Sequence, residues 1–570
     1  MFQILSLLNR VQKAHLKMLC VFIVLSVLLE LIGLSLIIPV IAFLDNPTSL
    51  QDFFPTSINS IDLTNLDEKK IGIYLFSLIL TIFIIKNFFL AYFKYFEAKF
   101  INNTIFSVGK NVFFKIFDTD YIFKKYSNSS EIINSISKET HLFGNSLIST
   151  VNIVSECLII FAFSSFLLIY DFKSFLFAFV LLFIFSFLFF LSTRKKIQYW
   201  GRKRKKQDEN RIKYILDGFS GVKDIKVYCK DNKFKNMFDN LSEDLAKNAT
   251  NYNFFSAIPK LYLEVIILIT LCSLIIYFLN IDKSFKELLT FISITFLAAI
   301  RIFPSANKVI LGFQTISYAK PSVLAVKEYL QFKSNSNSHT TNQISNIKEK
   351  LVIKDLSFSY ANSKKKLLKN LNAVFNLGEI VGLKGSSGAG KSTLINLILG
   401  FLKPSSGKIA VDNKDLDLDY LKTSHWKKKF SYVPQSVYLF DESIKYNITL
   451  EDDEKKIDKN SLENSIKLSC LDQFILERTD GIDFKIGEKG LKISGGEKQR
   501  IGIARALYRN SQVYIFDEAT SSIDEKTEKK IFENIISNLF EDKIFILCSH
   551  NKNLLSYCKK VIDFDDNYKS

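Results

Sequence analysis

Residues 379–400 read EIVGLKGSSGAGKSTLINLILG. They form a short apolar run, a glycine-rich loop and a helical pattern, which is the strand, loop and helix order of a phosphate-binding loop. Glycines let successive backbone N–H groups turn toward an anion, and the helix N-terminus adds its positive end. Lys391 is placed to reach the β- and γ-phosphates, and the Ser392 hydroxyl is placed to ligate Mg²⁺. Because both flanks match, the stretch predicts a nucleoside triphosphate site rather than a chance Gly/Ser loop.

The chain is rich in apolar and basic residues at once. Its 570 residues exceed the usual size of one domain, 48% of them are hydrophobic, and the formal net charge is +18. Long, nearly charge-free runs fill the chain up to about Pro304, whereas the residues after Phe332 have the composition of a soluble α/β domain. The densest basic cluster, RKKIQYWGRKRKK at 194–206, directly follows an apolar run. Charge at that position anchors a spanning helix, so the basic excess indicates a membrane protein and no nucleic-acid partner.

The seven cysteines are scattered along the chain without a C-x-x-C pair. Several lie in apolar runs, where cysteine behaves as a small hydrophobe. We therefore expect a reduced compartment, with neither a disulfide framework nor a zinc site. We also expect no cleavable signal, because the first apolar run is too long and lacks a small-residue cleavage site.

Six apolar runs reach the length of about 20 residues that a spanning helix needs. They are about Leu16–Leu44, Ile71–Tyr95, Leu147–Tyr170, Phe175–Leu191, Leu261–Leu279 and Leu288–Phe313. The connections between them alternate between basic and less basic, which predicts that both termini lie in the cytoplasm. An even number of spans places the glycine-rich loop on that same side, where ATP is found.

The chain therefore divides into an α-helical transmembrane domain of six spans and an α/β P-loop NTPase domain. The predicted boundaries are residues 1–331 for the first, a Ser/Asn-rich linker at 332–348, and residues 349–570 for the nucleotide-binding domain. The two long basic connections look helical, so helices two to five are expected to extend beyond the membrane. One segment, 217–228, is either a docking element for the ATP domain or an ordinary turn between two helices.

Two further motifs of the second domain carry chemistry. Residues 513–518 read VYIFDE, a buried-strand pattern ending in two carboxylates. Asp517 suits Mg²⁺ binding, and Glu518 is able to orient and polarise the attacking water. Upstream, ISGGE at 493–497 opens a helix and forms a second anion site. One domain does not need two γ-phosphate sites for one nucleotide.

In this order the motifs resemble those of the ATP-binding cassette (ABC) transporters. Ser494-Gly495-Gly496 is similar to the family's signature motif, with Glu497 where glutamine is usual. The resemblance also implies a Mg²⁺-sensing Gln435, a γ-phosphate-contacting His550 and a catalytic Glu518. GEKG at 487–490 is similar to the cross-linking loop of exporters. The residues expected to bind ATP are Tyr360 (stacking on adenine), Gly385, Ser386, Ser387, Gly388, Ala389, Gly390, Lys391, Ser392, Thr393, Ser494, Gly495, Gly496, Glu497 and Asp524. The expected Mg²⁺ ligands are Ser392, Gln435 and Asp517.

Six spans followed by one cassette is the half-transporter layout of exporters. The resemblance implies a homodimer in which the phosphate loop of one copy meets the signature motif of the other. Two ATP molecules, each with Mg²⁺, would then lie at the interface. Closure on ATP would draw the helices together and hydrolysis would release them, so that ATP binding biases a two-state membrane domain.

Ionisable residues inside the spans are the clues to the cargo, because their burial is costly. They are Glu30, Lys86, Glu156, Glu264 and Arg301, with Lys260 and Lys308 near span ends. One interpretation is intramembrane pairing or snorkelling to an interface. The other is recognition of an anionic head group, which suits the basic excess among them.

The segments IPKLYLE at 258–264 and RIFPSANK at 301–308 look most like PglK-type flippases of lipid-linked oligosaccharides. In that group basic residues line the cavity and contact the pyrophosphate and sugars. The matching positions here are Lys86, Lys260, Arg301 and Lys308, three of which are lysine where the group commonly has arginine. Lysine lacks the bidentate fork, so the substrate contacts need not be identical. The connection at 45–70 is expected to hold a short external helix that meets a lipid tail.

The leading hypothesis is an ATP-driven exporter or flippase for an amphipathic, lipid-linked anionic glycan in a bacterial inner membrane. A general lipid or drug exporter is the alternative, because a cavity rich in Phe tolerates varied hydrophobes. A peptide exporter is less favoured, since no protease-like extension precedes the first span. A soluble cassette ATPase is excluded by the six apolar runs. An ATP-gated channel is opposed by the presence of Glu518.

Overall fold

The computed structural model describes residues 2–35, 68–118, 128–170, 172–279, 285–331, 346–360, 367–539 and 541–565. The chain divides into two compact units, and the change between them comes after Lys333. The first unit is built from helices alone, and the second contains two β-sheets. Most of the predicted linker and most of the connection at 45–70 lie outside the described residues.

Nine helices make up the described part of the first unit. They are α1 (Phe2–Ser6), α2 (Arg10–Ser35), α3 (Glu68–Asp118), α4 (Ser129–Asn134), α5 (Thr140–Tyr170), α6 (Phe172–Ser220), α7 (Val222–Val227), α8 (Asp231–Leu279) and α9 (Phe285–Gln331). A π-helical turn, Ser135–Glu139, joins α4 to α5. At about 1.5 Å per residue, the 47 to 51 residues of α3, α6, α8 and α9 exceed twice the roughly 30 Å of a bilayer core. These four helices are therefore longer than a bilayer core, and the extension of helices two to five into the cytoplasm stays a prediction.

Five segments of the described residues are long and apolar enough to cross a membrane. They are Arg10–Gly33, Gly72–Asp118, Ser129–Ser165, Asp231–Thr270 and Arg301–Gln331, and each overlaps one predicted span. The remaining predicted span, Phe175–Leu191, falls within α6, where many side chains lie outside the described set. The count of six therefore stays a prediction.

A buried ion cluster ties three helices of the first unit together. Arg204 on α6 is 5% exposed, and its guanidinium donates to Glu139 at 3.0 Å and to Asp208 at 3.3 Å. It also donates to the Ser322 hydroxyl of α9 at 2.9 Å. A buried cation is tolerable only when it is paired in this way. The basic cluster at 194–206 therefore contributes to helix packing, and its role in membrane anchoring stays a prediction.

The segment 217–228 contains the end of α6, a break at Gly221 and the short helix α7. The Gly221 N–H donates to the Asp217 carbonyl at 2.9 Å, which closes the last turn of α6. Three apolar side chains here are exposed, with Phe219 at 81%, Val227 at 68% and Tyr228 at 70%. Exposed apolar groups of this size are typical of contact surfaces. Docking by this segment remains a proposal.

The second unit contains an antiparallel sheet in the strand order β2-β1-β4-β5 and a parallel sheet in the order β6-β7-β8-β3-β9. The strands are β1 (Lys350–Phe358), β2 (Leu368–Asn376), β3 (Glu379–Lys384), β4 (Ser406–Val411), β5 (Lys414–Asp415), β6 (Phe430–Val433), β7 (Val513–Asp517), β8 (Ile544–Cys548) and β9 (Lys560–Asp563). The α-helices are α10 (Lys391–Ile398), α11 (Leu418–Leu421), α12 (Ser424–Lys427), α13 (Ile444–Thr449), α14 (Lys459–Leu468), α15 (Asp472–Leu476), α16 (Gly495–Arg509), α17 (Glu525–Leu539) and α18 (Lys552–Leu555).

Burial explains why the parallel strands read as continuous apolar runs. All five residues of β7 and all five of β8 are buried, as expected for central strands covered on both faces. The core also holds Trp426, whose indole N–H donates to the Ile398 carbonyl at the end of α10 at 2.7 Å. Ile347, inside the predicted linker, is buried in this core as well.

The parallel sheet decides where the predicted motifs meet. Strands β6, β7, β8 and β3 are neighbours in that order, and their carboxyl ends share one edge. The residues that follow these ends are Gln435 after β6, Glu518 after β7, His550 after β8 and Gly385 after β3. Ligands of open α/β sheets bind at this edge.

Candidate functional site

The glycine-rich loop runs from β3 to the first turn of α10. Gly388 and Gly390 have φ values of +85° and +107°, which glycine adopts without strain. A Cβ on Gly390 would also lie 2.9 Å from the Leu368 side chain. Lys391 is buried, and its Nζ donates to the Gly385 carbonyl and, at 3.2 Å, to the Ser386 carbonyl. The loop therefore brings an ammonium group to the N-terminus of α10, which fits a triphosphate.

Asp517 ends β7 and is almost wholly buried. Its carboxylate accepts hydrogen bonds from the Ser392 hydroxyl at 3.5 Å and the Tyr432 hydroxyl at 3.4 Å. Burial raises the pKa of Asp517, although the Ser392 hydrogen bond opposes the rise. Among the described residues no three His, Cys, Asp or Glu side chains gather as a metal site. Hydroxyl and carboxylate oxygens fit Mg²⁺, which takes part of its shell from water and substrate phosphates.

Glu518 lies between two of the predicted catalytic partners. Its Oε2 accepts from the Gln435 amide nitrogen at 2.7 Å, and its Oε1 lies 3.4 Å from Nε2 of His550. The same His550 nitrogen lies 3.3 Å from Nζ of Lys391. Glu518 has a φ of +50°, and its N–H donates to the Cys548 carbonyl at 3.0 Å. The structure thus brings together Gln435, Glu518 and His550, which follow three separate strands. Gln435 is hydrogen-bonded to the carboxylate of Glu518 and not to that of Asp517.

The Tyr360 hydroxyl contacts α10, the helix that follows the glycine-rich loop. The hydroxyl oxygen is 3.2 Å from that of Thr393, and the ring packs edge-on against Phe358 at 4.9 Å. Tyr360 is half-buried, so part of its ring stays accessible. This position at the first turn of α10 is compatible with stacking on a base.

The signature-like segment forms a capping box at the start of α16. The Ser494 hydroxyl accepts from the Glu497 N–H at 3.3 Å, and the Glu497 carboxylate accepts from the Ser494 N–H at 2.6 Å. This arrangement gives Glu497, the departure from the family pattern, a helix-capping role. Within the described part of the chain, no hydrogen bond or ion pair joins residues 494–497 to residues 385–393. The two helix N-termini that the sequence predicts to bind anions are therefore separate within one chain.

Asp524 also has a capping role. Its carboxylate accepts from the Thr527 N–H at 2.9 Å at the start of α17. That backbone hydrogen bond is the main cause of the lowered pKa of Asp524. Gln499 of α16 connects this helix to the segment before Asp524. Its side-chain amide donates to the Ser521 hydroxyl at 2.9 Å and accepts from the Ser522 N–H at 2.7 Å. Gln499 was not expected from the sequence, where only its position in the first turns of α16 hints at a role.

A second unexpected contact lies on the glycine-rich loop itself. The Asp565 carboxylate accepts from the Ser386 N–H at 2.8 Å and from the Ser386 hydroxyl at 2.7 Å. Just before it, the Phe564 N–H donates to the Lys384 carbonyl at 2.8 Å, which continues the pairing of β9 with β3. No sequence signal predicts this contact, because it depends on which strand lies beside β3.

Two protein-family models match the chain. Residues 368–521 match the family described as ABC transporter, and residues 16–303 match the ABC transporter transmembrane region. The second match alone covers just over half of the 570 residues. The chain belongs to the ABC transporter family. The resemblance of the motifs to this family is thereby confirmed, as is a helical transmembrane domain followed by an α/β ATP-binding cassette.

Relatives of this ABC transporter include two proteins named ATP-dependent lipid A-core flippase. The one from Vibrio parahaemolyticus is 33% identical over 51% of this chain and 50% of its own length. The one from Wigglesworthia glossinidia brevipalpis is 26% identical over 90% and 88%. A putative export ATP-binding/permease protein of Rickettsia prowazekii is 36% identical over 37% of this chain. The chain spans half or less of the length of the first curated relatives that it matches.

A solved structure of a bacterial Atm1-family ABC exporter with ATP bound has the same fold. The TM-score is 0.81, with 96% of this chain and 93% of that chain covered. The sequence identity is 18%, so the likeness shows the fold alone.

The four predicted cargo-binding cations of this transporter have different surroundings. Arg301 forms an ion pair with Glu30 of α2, and Lys308 pairs with Glu156 of α5 at 2.6 Å. These contacts are the intramembrane pairing considered from the sequence. Both cations remain partly exposed, at 39% and 58% of their side chains. Substrate contact by either residue stays a prediction.

The other two cations are not paired in this way. Lys86 of α3 lies 5.0 Å from the centre of the Phe83 ring and close to the Glu30–Arg301 pair, whose charges act on it. Its ammonium would lie 3.0 Å from a Cβ on Gly33, so the small residue makes room for it. Lys260 of α8 is exposed and has no ion-pair partner among the described residues. The structure therefore brings Lys86 and Arg301 together and links neither to Lys260.

Proposed function

We propose that this ABC transporter hydrolyses ATP and uses the energy to move an amphipathic, anionic lipid across a bacterial inner membrane. The observation that carries the hydrolytic part is the position of Glu518 between Gln435 and His550, beside Lys391. A carboxylate held there is suited to orient and polarise water against a phosphate bound by the loop. Mg²⁺, held by Ser392 and Asp517, would supply charge neutralisation between the phosphates.

The two ATP sites are proposed to form between two copies of the chain. Residues 494–497 lie apart from the glycine-rich loop within one chain, although both ends are built to bind an anion. A second copy would supply the missing end to each loop, and both cassettes are expected on the cytoplasmic side. In that dimer, the signature end would separate from the loop after hydrolysis. This separation would let the transmembrane helices that bind the cargo move apart.

For the cargo, we propose a polyprenyl-pyrophosphate-linked oligosaccharide or a related anionic glycolipid. Two relatives are named ATP-dependent lipid A-core flippase, which supports a lipid cargo. Lys86 next to Arg301 provides two cations near one carboxylate, so a net positive charge remains for an anionic head group. The finer resemblance to PglK-type flippases is part of this proposal.

A general lipid or drug exporter is the second candidate. The pairing of Arg301 and Lys308 with carboxylates favours it, because paired cations attract an anionic cargo less strongly. A cargo without charge would then be moved as well as an anionic one. The two candidates differ in a single measurable property, the preference for a charged head group.

Transport into proteoliposomes tests the proposal. The wild-type chain and the Glu518→Gln variant would be compared with three lipids: a polyprenyl-pyrophosphate glycan, a lipid A-core glycolipid and a neutral phospholipid. We expect ATP-dependent movement of one or both anionic glycolipids by the wild-type chain alone. Equal movement of the neutral phospholipid would favour the general exporter. ATP-dependent movement of none of the three would contradict the proposed function.

A further inference from the structure

A cavity of about 420 Å³ lies between α1, α6 and α9. Its apolar lining includes Ile4 of α1, Phe190 of α6, and Phe313 and Val323 of α9. The two aromatic rings lie 5.4 Å apart, centre to centre. Ile4 and Val323 are buried, so both side chains are packed inside the first unit. The cavity therefore has an apolar wall able to accept a hydrocarbon chain.

Two cations border the same cavity, Arg194 on α6 and Lys320 on α9. Both are exposed, and neither has an ion-pair partner in the part of the chain that the structure describes. Arg194 lies over the Phe190 ring at 5.7 Å, so its guanidinium is held next to the apolar wall. Other cations of the same two helices, such as Arg204 and Lys308, are paired with carboxylates. The cavity thus combines an apolar wall with two cations that form no ion pair with any carboxylate of the described residues.

The spans predicted from sequence put these cations at the level of lipid head groups. Arg194 comes three residues after Leu191, where the span predicted from sequence in α6 ends, and Lys320 comes seven residues after Phe313, where the span predicted from sequence in α9 ends. Seven residues of helix correspond to about 10 Å. By the predicted topology both span ends face the cytoplasm, where anionic lipids attract basic side chains near the membrane.

We propose that this cavity binds an anionic phospholipid of the surrounding bilayer. Arg194 and Lys320 take the phosphate-bearing head group, and Phe190, Phe313 and Val323 take the first part of an acyl chain. Two neutral polar side chains on the lining, Gln198 and Ser317, are able to hydrogen-bond the remaining head-group oxygens. This site is distinct from the proposed cargo site, since its cations follow the predicted spans Phe175–Leu191 and Leu288–Phe313 and take part in neither the Glu30–Arg301 nor the Glu156–Lys308 ion pair.

Native mass spectrometry of the full-length chain in detergent tests the site. Phosphatidylglycerol and phosphatidylcholine of equal chain length would be titrated against the wild-type chain and an Arg194→Gln/Lys320→Gln variant. We expect tighter binding of phosphatidylglycerol to the wild-type chain and a loss of about tenfold or more in the variant, because each basic residue near anionic lipid contributes measurable affinity. Phosphatidylcholine binding should not change. Arg194→Lys, which keeps the charge, should retain most of the preference.

The matched control is Lys195→Gln/Lys203→Gln, which removes the same charge from exposed positions of α6 outside the cavity lining. It should change phosphatidylglycerol affinity less than twofold. A loss as large as that of the cavity variant would show only general surface attraction and overturn the site. Equal affinity of the wild-type chain for the two lipids would overturn it as well. The transport assay of the proposed function does not depend on either outcome.

Discussion

At the scale of single residues, Glu518 has the most constrained surroundings of the site. Its φ of +50° is uncommon for a residue with a side chain, and the bond from its N–H to Cys548 holds it in place. Uncommon backbone conformations of this kind cluster at functional sites. Gln435 and His550 then set the direction of the carboxylate.

Replacement of Glu518 by glutamine should separate ATP binding from hydrolysis. The Glu518→Gln substitution keeps the size of the side chain but removes the acceptor that polarises water, so hydrolysis should fall by about 100-fold or more. ATP binding should persist, because the loop and Lys391 are unchanged, and a closed dimer should accumulate. Phosphate release and fluorescent-nucleotide binding measure the two effects. Glu533→Gln, an exposed position on α17, should leave both unchanged, and near-wild-type turnover in Glu518→Gln would exclude Glu518 as the base.

The buried carboxylate of Asp517 should make stability and Mg²⁺ binding depend on pH. Its pKa is raised by burial, so the neutral form is favoured in the folded protein and the charged form opposes folding. Without nucleotide, the contribution of Asp517 to stability is therefore present at low pH and is lost as pH rises through the raised pKa. Mg²⁺ binding needs the charged form and should weaken as pH falls through the same value.

Thermal unfolding of the nucleotide-free chain between pH 4 and 8 tests this effect. Asp517→Asn removes the charge, so the variant should be more stable than the wild-type chain at pH 8, and the difference should shrink toward pH 4. Asp441→Asn is an exposed control and should show no such trend. A constant difference across the range would contradict the argument.

At the scale of elements, ion pairs connect α9 to two other helices of the membrane domain. Glu30 of α2 is 9% exposed, and one of its oxygens accepts from Arg301. Its other oxygen has no hydrogen-bond partner among the described residues. Inside a membrane domain such a pair is costly to break, because the group left behind stays buried.

Removal of one partner should therefore destabilise the chain more than removal of both. Arg301→Gln leaves the Glu30 carboxylate buried without its ion-pair partner, which should cost roughly 1–3 kcal/mol. In the Glu30→Gln/Arg301→Gln double variant, part of this loss should be recovered, since both charges of the ion pair are removed together. Thermal unfolding in detergent would measure the cycle. Lys247→Gln, from an exposed pair with Glu243, should change stability little.

The same variants separate packing from cargo recognition. If Arg301 contacts an anionic cargo, Arg301→Gln should lower transport more than it lowers basal ATPase activity, and the double variant should not restore transport. Equal loss of the two activities, with recovery in the double variant, would leave Arg301 a purely structural role.

At the scale of the whole molecule, the proposed dimer predicts a specific pattern of complementation. Lys391→Ala disables the loop. Gly495→Glu places a carboxylate at the signature end, where a Cβ would have its nearest contact at 3.4 Å and an acidic residue is tolerated at a helix N-terminus. Each variant alone should be inactive. A heterodimer of the two should regain about half of the wild-type ATPase activity, because one loop meets one intact signature end.

The reciprocal heterodimer is the control. It combines a chain that carries both substitutions with a wild-type chain, so neither composite site is intact and it should be inactive. If each chain instead formed a complete site by itself, this heterodimer would keep half of the activity and the first would have none. Differently tagged chains and two-step purification supply both heterodimers for the ATPase measurement.

The amino-acid sequence alone determined the two-part architecture and the family. Apolar runs of membrane length and the order of the Gly385 loop, the signature-like segment and Asp517 are properties of local sequence, and family comparison confirmed the family and the two-part architecture that they predict. Apolar runs and glycine-rich turns involve residues close together in the sequence, so they can be identified without knowledge of the tertiary structure. The presence of helices longer than a membrane span was predicted from the same kind of local pattern.

The tertiary structure decided which distant groups meet. The strand order β6-β7-β8-β3-β9 brings Gln435, Glu518 and His550 together, and it places Asp565 on the Ser386 amide. Helix packing likewise selects Glu30 as the partner of Arg301. Such contacts depend on strand order and helix rotation, which long-range packing sets, and no local pattern in the sequence encodes them.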